Sequence, residues 1–182
     1  MALSVEIQRP AMAIVVMGVA GVGKTTVAQG LAQRLGLPYG EADDFHPAAN
    51  IAKMAAGHPL DDQDREPWLR ALGTWLGEQV AVGNGGVVTC SALKRSYRDL
   101  LREACPSAFF LYLTGPDALI EERLAHRSGH FMKAHMLDSQ LAILEPLGAD
   151  ENGAVLDVDA SPENLVESAV ALLPRPVNGD LA

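Results

Sequence analysis

The amino-acid sequence predicts an α/β domain with a mainly parallel sheet covered by helices on both faces. Apolar segments of strand length alternate with segments of helical period along the chain, the pattern of successive βαβ units. Three of the strand segments, Ile14-Val-Val-Met17, Val87-Val-Thr-Cys90 and Phe109-Phe-Leu-Tyr-Leu113, are nearly continuous in apolar residues, as strands buried on both faces are. A chain of 182 residues with 48% hydrophobic content supports one sizeable core, whereas two would each be marginal.

Taken in order, the first strand spans 13–17 and runs into a glycine-rich turn. A helix over 25–35 follows, with Val27, Leu31 and Leu35 on one face. A short second strand is expected at 37–41. A polar stretch then closes into a helix over 67–82, capped by Asp64, with Leu69, Leu72, Leu76 and Val80 on one stripe. The third strand is 86–90, followed by a helix over 96–104. The fourth strand is 108–113, followed by helices over 116–125 and 133–144. The fifth strand is 154–157, and Ser161-Pro162 signals the start of a last helix, 162–173. No repeat and no internal linker interrupts this order. One domain is therefore expected over 12–173, with residues 1–11 and the Pro-, Gly- and Asn-containing tail 174–182 loosely ordered.

A net charge of −9 argues against a nucleic-acid or anionic-membrane partner, since the field of the whole molecule repels polyphosphates. An anionic substrate has to be captured by local positive groups. Cys90 and Cys105 have no Cys or His companions at metal-ligand spacing, and a reducing cytoplasm fits them best. The apolar run 12–17 is short and leads into a glycine-rich turn rather than a cleavage site, and no stretch approaches the roughly 20 apolar residues of a membrane span.

The segment Gly18-Val-Ala-Gly-Val-Gly-Lys-Thr25 fits G-x-x-x-x-G-K-[ST], between a predicted buried strand and a predicted helix, the context that this phosphate-binding motif requires. Glycines at 18, 21 and 23 let the backbone curl so that N–H groups, including those of Val22 and Thr26 at the turn and helix start, face a nucleotide's phosphates. Lys24 is expected at the β- and γ-phosphates of ATP, and the Thr25 hydroxyl on Mg²⁺.

The second strand ends in Glu41-Ala-Asp43-Asp44-Phe45-His46-Pro47, which puts carboxylates at the carboxyl edge of the sheet, where open α/β folds bind ligands. One of Asp43, Asp44 or Glu41 is the candidate base for an acceptor hydroxyl. Lys53, Arg65 and the carboxylates around them suit a ligand bearing both a carboxylate and hydroxyls. After the third strand a loop of small residues leads into Lys94, Arg95 and Arg98, a cationic cluster in an acidic protein. Arg123 and Arg127, four apart, share a helix face, where one guanidinium can stack on a base and the other stabilise a transferring phosphoryl group. Gly129, beside His130, offers a hinge for a lid over about 126–134.

These blocks together closely resemble the small bacterial gluconokinases. They are the phosphate loop, Asp43-Asp-Phe-His-Pro-Ala-Ala-Asn-Ile-Ala-Lys-Met54, Gly57-His-Pro-Leu-Asp-Asp-Gln-Asp-Arg-Glu-Pro-Trp-Leu69, Cys90-Ser-Ala-Leu-Lys-Arg-Ser-Tyr-Arg-Asp-Leu-Leu-Arg102 and Arg127-Ser-Gly-His-Phe-Met132. The resemblance covers about 12–173. It implies a three-layer α/β/α P-loop kinase fold like that of shikimate and nucleoside monophosphate kinases, with a five-stranded parallel sheet, a mobile lid and a homodimer. It also implies ATP- and Mg²⁺-dependent phosphorylation of D-gluconate at its 6-hydroxyl, in sugar-acid catabolism. Carried over by position, Lys24 and Thr25 hold the triphosphate and Mg²⁺, Asp43 receives the acceptor hydroxyl, and Arg123 and Arg127 serve adenine and phosphate. His46, Lys53, Arg65, Arg98 and His130 are the choices for gluconate. Two departures stand out: Glu41 occupies a position where related kinases often carry Asp, and no Asp follows the third strand as a metal ligand, which leaves Asp43 or Glu41 as the substitutes at the metal, directly or through water. The alternatives are a kinase for another small acceptor, such as shikimate or a nucleoside monophosphate, and a nucleotide-dependent regulatory binder.

Overall fold

The computed structural model describes residues 11–126 and 130–174, with side chains described outside 130–136. The expectations for both chain ends and for Arg127, Ser128 and Gly129 lie outside the described residues. So does the side chain of His130.

Five parallel strands form one sheet: β1 (Ala13–Met17), β2 (Tyr39–Gly40), β3 (Gly86–Thr89), β4 (Phe109–Thr114) and β5 (Gly153–Asp157). Their order across the sheet is β2-β3-β1-β4-β5, so the first strand is central, with Val15 registered against Val88 on one side and Phe110 on the other. Because strand side chains alternate, Ile14 and Val16 enter one core and Val15 and Met17 the other. The first core is closed by α1 (Lys24–Leu35), α5 (Asp117–Ala125), the end of α6 (His130–Ile143) and α7 (Pro162–Leu172), through Leu31, Leu124, Leu137 and Leu165. The second is closed by α3 (Asp62–Ala81) and α4 (Arg95–Ala104), through Leu69, Leu72, Leu76 and Leu101. Every residue of β1 is buried, as the unbroken apolar run requires. No described helix is long and apolar enough to cross a membrane.

Three boundaries differ from the sequence reading. The second strand is only Tyr39–Gly40, because it lies at the sheet edge and the chain turns at once into a 3₁₀ turn, Ala42–Phe45. The long helix begins at Asp62 rather than Pro67. Asp61, not Asp64, is its N-cap, and the two form a reciprocal capping box that satisfies the first-turn N–H groups, leaving Pro67 inside the helix. A short helix, α2 (Ala48–Ala55), follows Pro47 where no helix was expected.

Candidate active site

The phosphate loop runs from the end of β1 to the start of α1, at the carboxyl edge of the central strand. Gly23 is the N-cap of α1 with φ 104°, and Gly21 has φ 80° with its Cα pressed toward α5, where an added Cβ would stand 2.5 Å from Leu124 Cγ. Both positions need glycine, the first for its left-handed backbone and the second for that and for space. Lys24 Nζ donates to Val19 O at 2.9 Å, and Gly18 N–H to Ser91 O at 3.3 Å, which ties the loop to the segment after β3. Gly21, Val22, Gly23, Thr26, Arg123 and Pro162 line a cavity of about 330 Å³. Arg123 donates to Val22 O at 3.3 Å and to Val158 O at 2.9 Å, so two carbonyls fix its guanidinium as one wall of that cavity.

Beside the loop, a second cavity of about 380 Å³ contains Lys24, Thr25, Glu41 and Asp43. Thr25 Oγ1 donates to Glu41 Oε2 at 3.2 Å, and the hydroxyls of Tyr39 and Thr89 also donate to Glu41. Thr89 Oγ1 in turn accepts the Ala42 N–H at 3.1 Å. Burial would push the Glu41 carboxyl up, but the hydrogen bonds from Thr89, Tyr39 and Thr25 and the charge of Lys24 outweigh it and hold the group below its ordinary range. Burial and the bond to Glu41 push Tyr39 up, so the phenol stays a donor.

Thr25 and Glu41 thus present adjacent hard oxygen donors. No group of three or more His, Cys, Asp or Glu side chains suited to hold a metal alone occurs among the described residues. An oxygen pair of this kind fits Mg²⁺, which keeps waters and uses one or two protein oxygens together with substrate phosphates.

A third cavity, of about 630 Å³, opens next to the second and contains Asp43, His46, Arg65, Trp68, Ala92 and Tyr97. The His46 ring stacks on Trp68 at 4.4 Å, and Trp68 Nε1–H donates to Ala42 O at 2.7 Å. Burial lowers the His46 pKa, and nearby Arg65 adds to this against the pull of Asp43, so the ring is neutral at pH 7. Arg65 Nη1 donates to the Tyr97 hydroxyl at 2.9 Å, and that hydroxyl donates to Asp62, which also takes Lys94 Nζ at 2.8 Å. The chain of bonds fixes a guanidinium at the cavity wall, a geometry suited to a carboxylate or to hydroxyls.

The structure thus brings Gly21, Lys24, Thr25, Asp43, His46 and Arg65 to connected cavities. Two residues expected at gluconate, Arg98 and Lys53, do not line these cavities. Arg98 is fully buried: its Nε and Nη2 each lie 2.8 Å from the Glu151 carboxylate, and Nη1 donates to Ala92 O at 2.9 Å and to Glu145 O at 3.1 Å. Its donors are all engaged at carboxylate and carbonyl oxygens inside the protein, where they hold the loop at Ala92, whose φ is 45°. Lys53 bonds Asp61 and Asp64 at the start of α3, so its charge is spent on the capping box. Sequence reasoning missed Trp68, Tyr97 and Gln140 as cavity residues, and weighed Glu41 both as a candidate base and, with Asp43, as a substitute metal ligand. Of the three hydroxyls that meet at Glu41, only that of Tyr39 is near it in the chain; Thr25 and Thr89 lie 16 and 48 positions away, so their convergence left no signal in the sequence.

A family model described as an AAA domain matches residues 14–147. The gluconokinase of Gluconobacter oxydans is 48% identical over 157 residues, covering 86% of this chain and 88% of its own. The crystal structure of a gluconokinase from Sinorhizobium meliloti superimposes with a TM-score of 0.77 at 44% identity, covering 90% of this chain and 91% of its own. Shikimate kinase from Aquifex aeolicus, at 15% identity and a TM-score of 0.55 over 88% of this chain and 94% of its own, shares the fold. On that shared fold, with 44–48% identity to gluconokinases over most of both chains, the chain belongs to the gluconokinase family.

Proposed function

We propose that this protein transfers the γ-phosphoryl group of ATP to the 6-hydroxyl of D-gluconate, giving 6-phosphogluconate and ADP. The observation that carries the reading is the junction of the two inner cavities at Asp43, which lines both the phosphate side and the acceptor side. The gluconokinases at 40% identity and above support the choice of acceptor.

On the phosphate side, the loop N–H groups and Lys24 neutralise the triphosphate, while Arg123 borders the base cavity. Thr25 and Glu41 would hold Mg²⁺, which supplies charge neutralisation at the phosphate oxygens when bound. On the acceptor side, Arg65 takes the gluconate carboxylate, and neutral His46 hydrogen-bonds its hydroxyls. Asp43 orients the 6-hydroxyl and accepts its proton as the O–P bond forms and ADP leaves. The role of Arg127 at the phosphoryl group and of His130 at gluconate belongs to the same proposal, as do closure of a lid over 126–134, a homodimer and work in cytoplasmic sugar-acid catabolism.

The test is ADP release with Mg-ATP and no acceptor, gluconate, shikimate or nucleoside monophosphates. Gluconate alone should stimulate. Stimulation by a different acceptor would reassign the substrate, and turnover that ignores every acceptor would favour a regulatory binder. Asp43→Asn should lower kcat by about 10²–10⁴-fold with little change in ATP affinity; near-normal kcat would remove Asp43 as the base.

A further inference from the structure

Asp43, Trp68, Ser91 and Gln140 line both the cavity around Lys24 and the cavity around Arg65. A side chain on that shared wall stands where a phosphoryl group leaves one ligand and reaches the other. Trp68 is fixed by its bond to Ala42 O. Gln140 differs from the other three, because it comes from α6, late in the chain, and grips the phosphate loop through its side chain. Its Oε1 accepts the backbone N–H of Ala20 at 2.7 Å, across 120 positions of sequence.

Ala20 lies inside the phosphate loop, between Val19 and Gly21, in a motif whose backbone N–H groups serve to bind phosphate oxygens. A carboxamide oxygen is a neutral acceptor. A terminal phosphate oxygen carries charge, and its bond to the same donor is about twice as strong. A triphosphate entering the loop therefore competes with Gln140 for the Ala20 N–H and displaces it.

The displaced carboxamide has a second place to go. The backbone of α6 is anchored on both sides of Gln140: Leu137 is buried in the core, and just past the helix the Glu145 N–H donates to Leu93 O at 2.8 Å. A rotation of the side chain alone turns the amide into the acceptor cavity, whose wall it already forms. There it offers two N–H donors and a carbonyl acceptor, a match for the hydroxyls of a polyol.

We propose that Gln140 is an exchange residue between the two ligands: it gives up the Ala20 N–H to the terminal phosphate of the nucleotide and then positions the acceptor through its hydroxyls, so that triphosphate and acceptor bind cooperatively. The acceptor half of this inference rests on the gluconate reading, whereas the nucleotide half does not.

Two variants separate the idea from a merely structural role for the side chain. Gln140→Ala removes the competitor, so a non-hydrolysable ATP analogue, titrated calorimetrically without acceptor, should bind about two- to tenfold more tightly, the worth of one neutral hydrogen bond. Gln140→Glu puts a charged competitor on the same N–H, and the analogue should bind about tenfold or more weakly. In the unaltered protein the analogue should tighten gluconate binding several-fold, and in Gln140→Ala that coupling should vanish while the gluconate KM rises more than kcat falls. Equal or weaker analogue binding by Gln140→Ala, or coupling that survives in it, would overturn the proposal. If gluconate binds none of the three proteins, the gluconate reading fails, and the direction of the two nucleotide shifts still decides the exchange at Ala20.

Discussion

At the scale of single residues, Glu41 shows how a site is tuned by its neighbours. Three hydroxyls, from Thr25, Tyr39 and Thr89, donate to a single carboxylate, and Lys24 adds its charge, so the group remains an anion despite its partial burial. Replacing it with Gln keeps the shape but removes the charge that a Mg²⁺ ion would sense. Glu41→Gln should raise the Mg²⁺ concentration needed for half-maximal activity about tenfold, in line with the 10–100-fold cost typical of disturbing the groups that support a metal. Binding of ATP without metal should be unchanged or tighter, because a negative charge beside the triphosphate is gone. A magnesium titration of activity checks this, and an unaltered Mg²⁺ dependence would place Glu41 outside the metal's surroundings. Lys24→Ala acts on the triphosphate directly and should abolish turnover within the limits of the ADP-release assay.

At the scale of elements, the start of α3 couples helix formation to the acceptor cavity. Asp61 and Asp64 cap the helix reciprocally, Lys53 bridges both, and one residue along Asp62 holds Tyr97 and, through it, Arg65. Asp61→Ala should cost about 0.5–2 kcal/mol of stability through the lost cap. It should also raise the gluconate KM through a displaced Arg65; thermal melts and steady-state kinetics on the same preparation check the two together. This element also marks where the sequence was readable. The buried strands and the phosphate loop could be read because an unbroken apolar run, or a glycine spacing, leaves the backbone few alternatives. The start of α3 could not, because Pro67 is a strong start signal by itself, and only the reciprocal geometry of Asp61 and Asp64 moves the cap upstream. Arg98 was expected at the acceptor for a related reason. Sequence places a cation near the acceptor loop but does not say which way it faces, and the partner that takes it inward, Glu151, lies 53 positions away. Gln140 belongs to no motif at all, and its significance exists only in the bond to Ala20.

At the scale of the whole molecule, the Arg98–Glu151 pair is the internal tie that joins α4, the Ala92 turn and the segment between α6 and β5. Glu151 accepts from Arg98 and Arg102 and from the Gly148 N–H, and Arg98 also binds the carbonyls of Ala92 and Glu145. Burial opposes ionisation of this carboxyl, but the bonds from Arg98, Gly148 and Arg102 prevail and hold its pKa at about 2 against an ordinary 4.5. A carboxyl whose folded-state pKa is depressed stabilises the fold above its unfolded pKa and loses that contribution as the pH falls through the folded value. Here the contribution, roughly 3 kcal/mol by linkage, is complete above about pH 4.5 and fades between there and pH 2. Glu151→Gln leaves the buried guanidinium without its counter-ion and should cost about 3–5 kcal/mol at pH 7. Urea unfolding of both proteins should then give a constant gap from pH 7 to 5 that narrows below about pH 4.5. A gap that stays constant down to the acid limit of folding would contradict the depressed pKa. Because the same guanidinium holds the Ala92 carbonyl at the acceptor wall, Glu151→Gln should also raise the gluconate KM at pH 7 under conditions where the variant is fully folded. A variant that loses stability but keeps its KM would mean that the acceptor loop holds its shape without the buried pair.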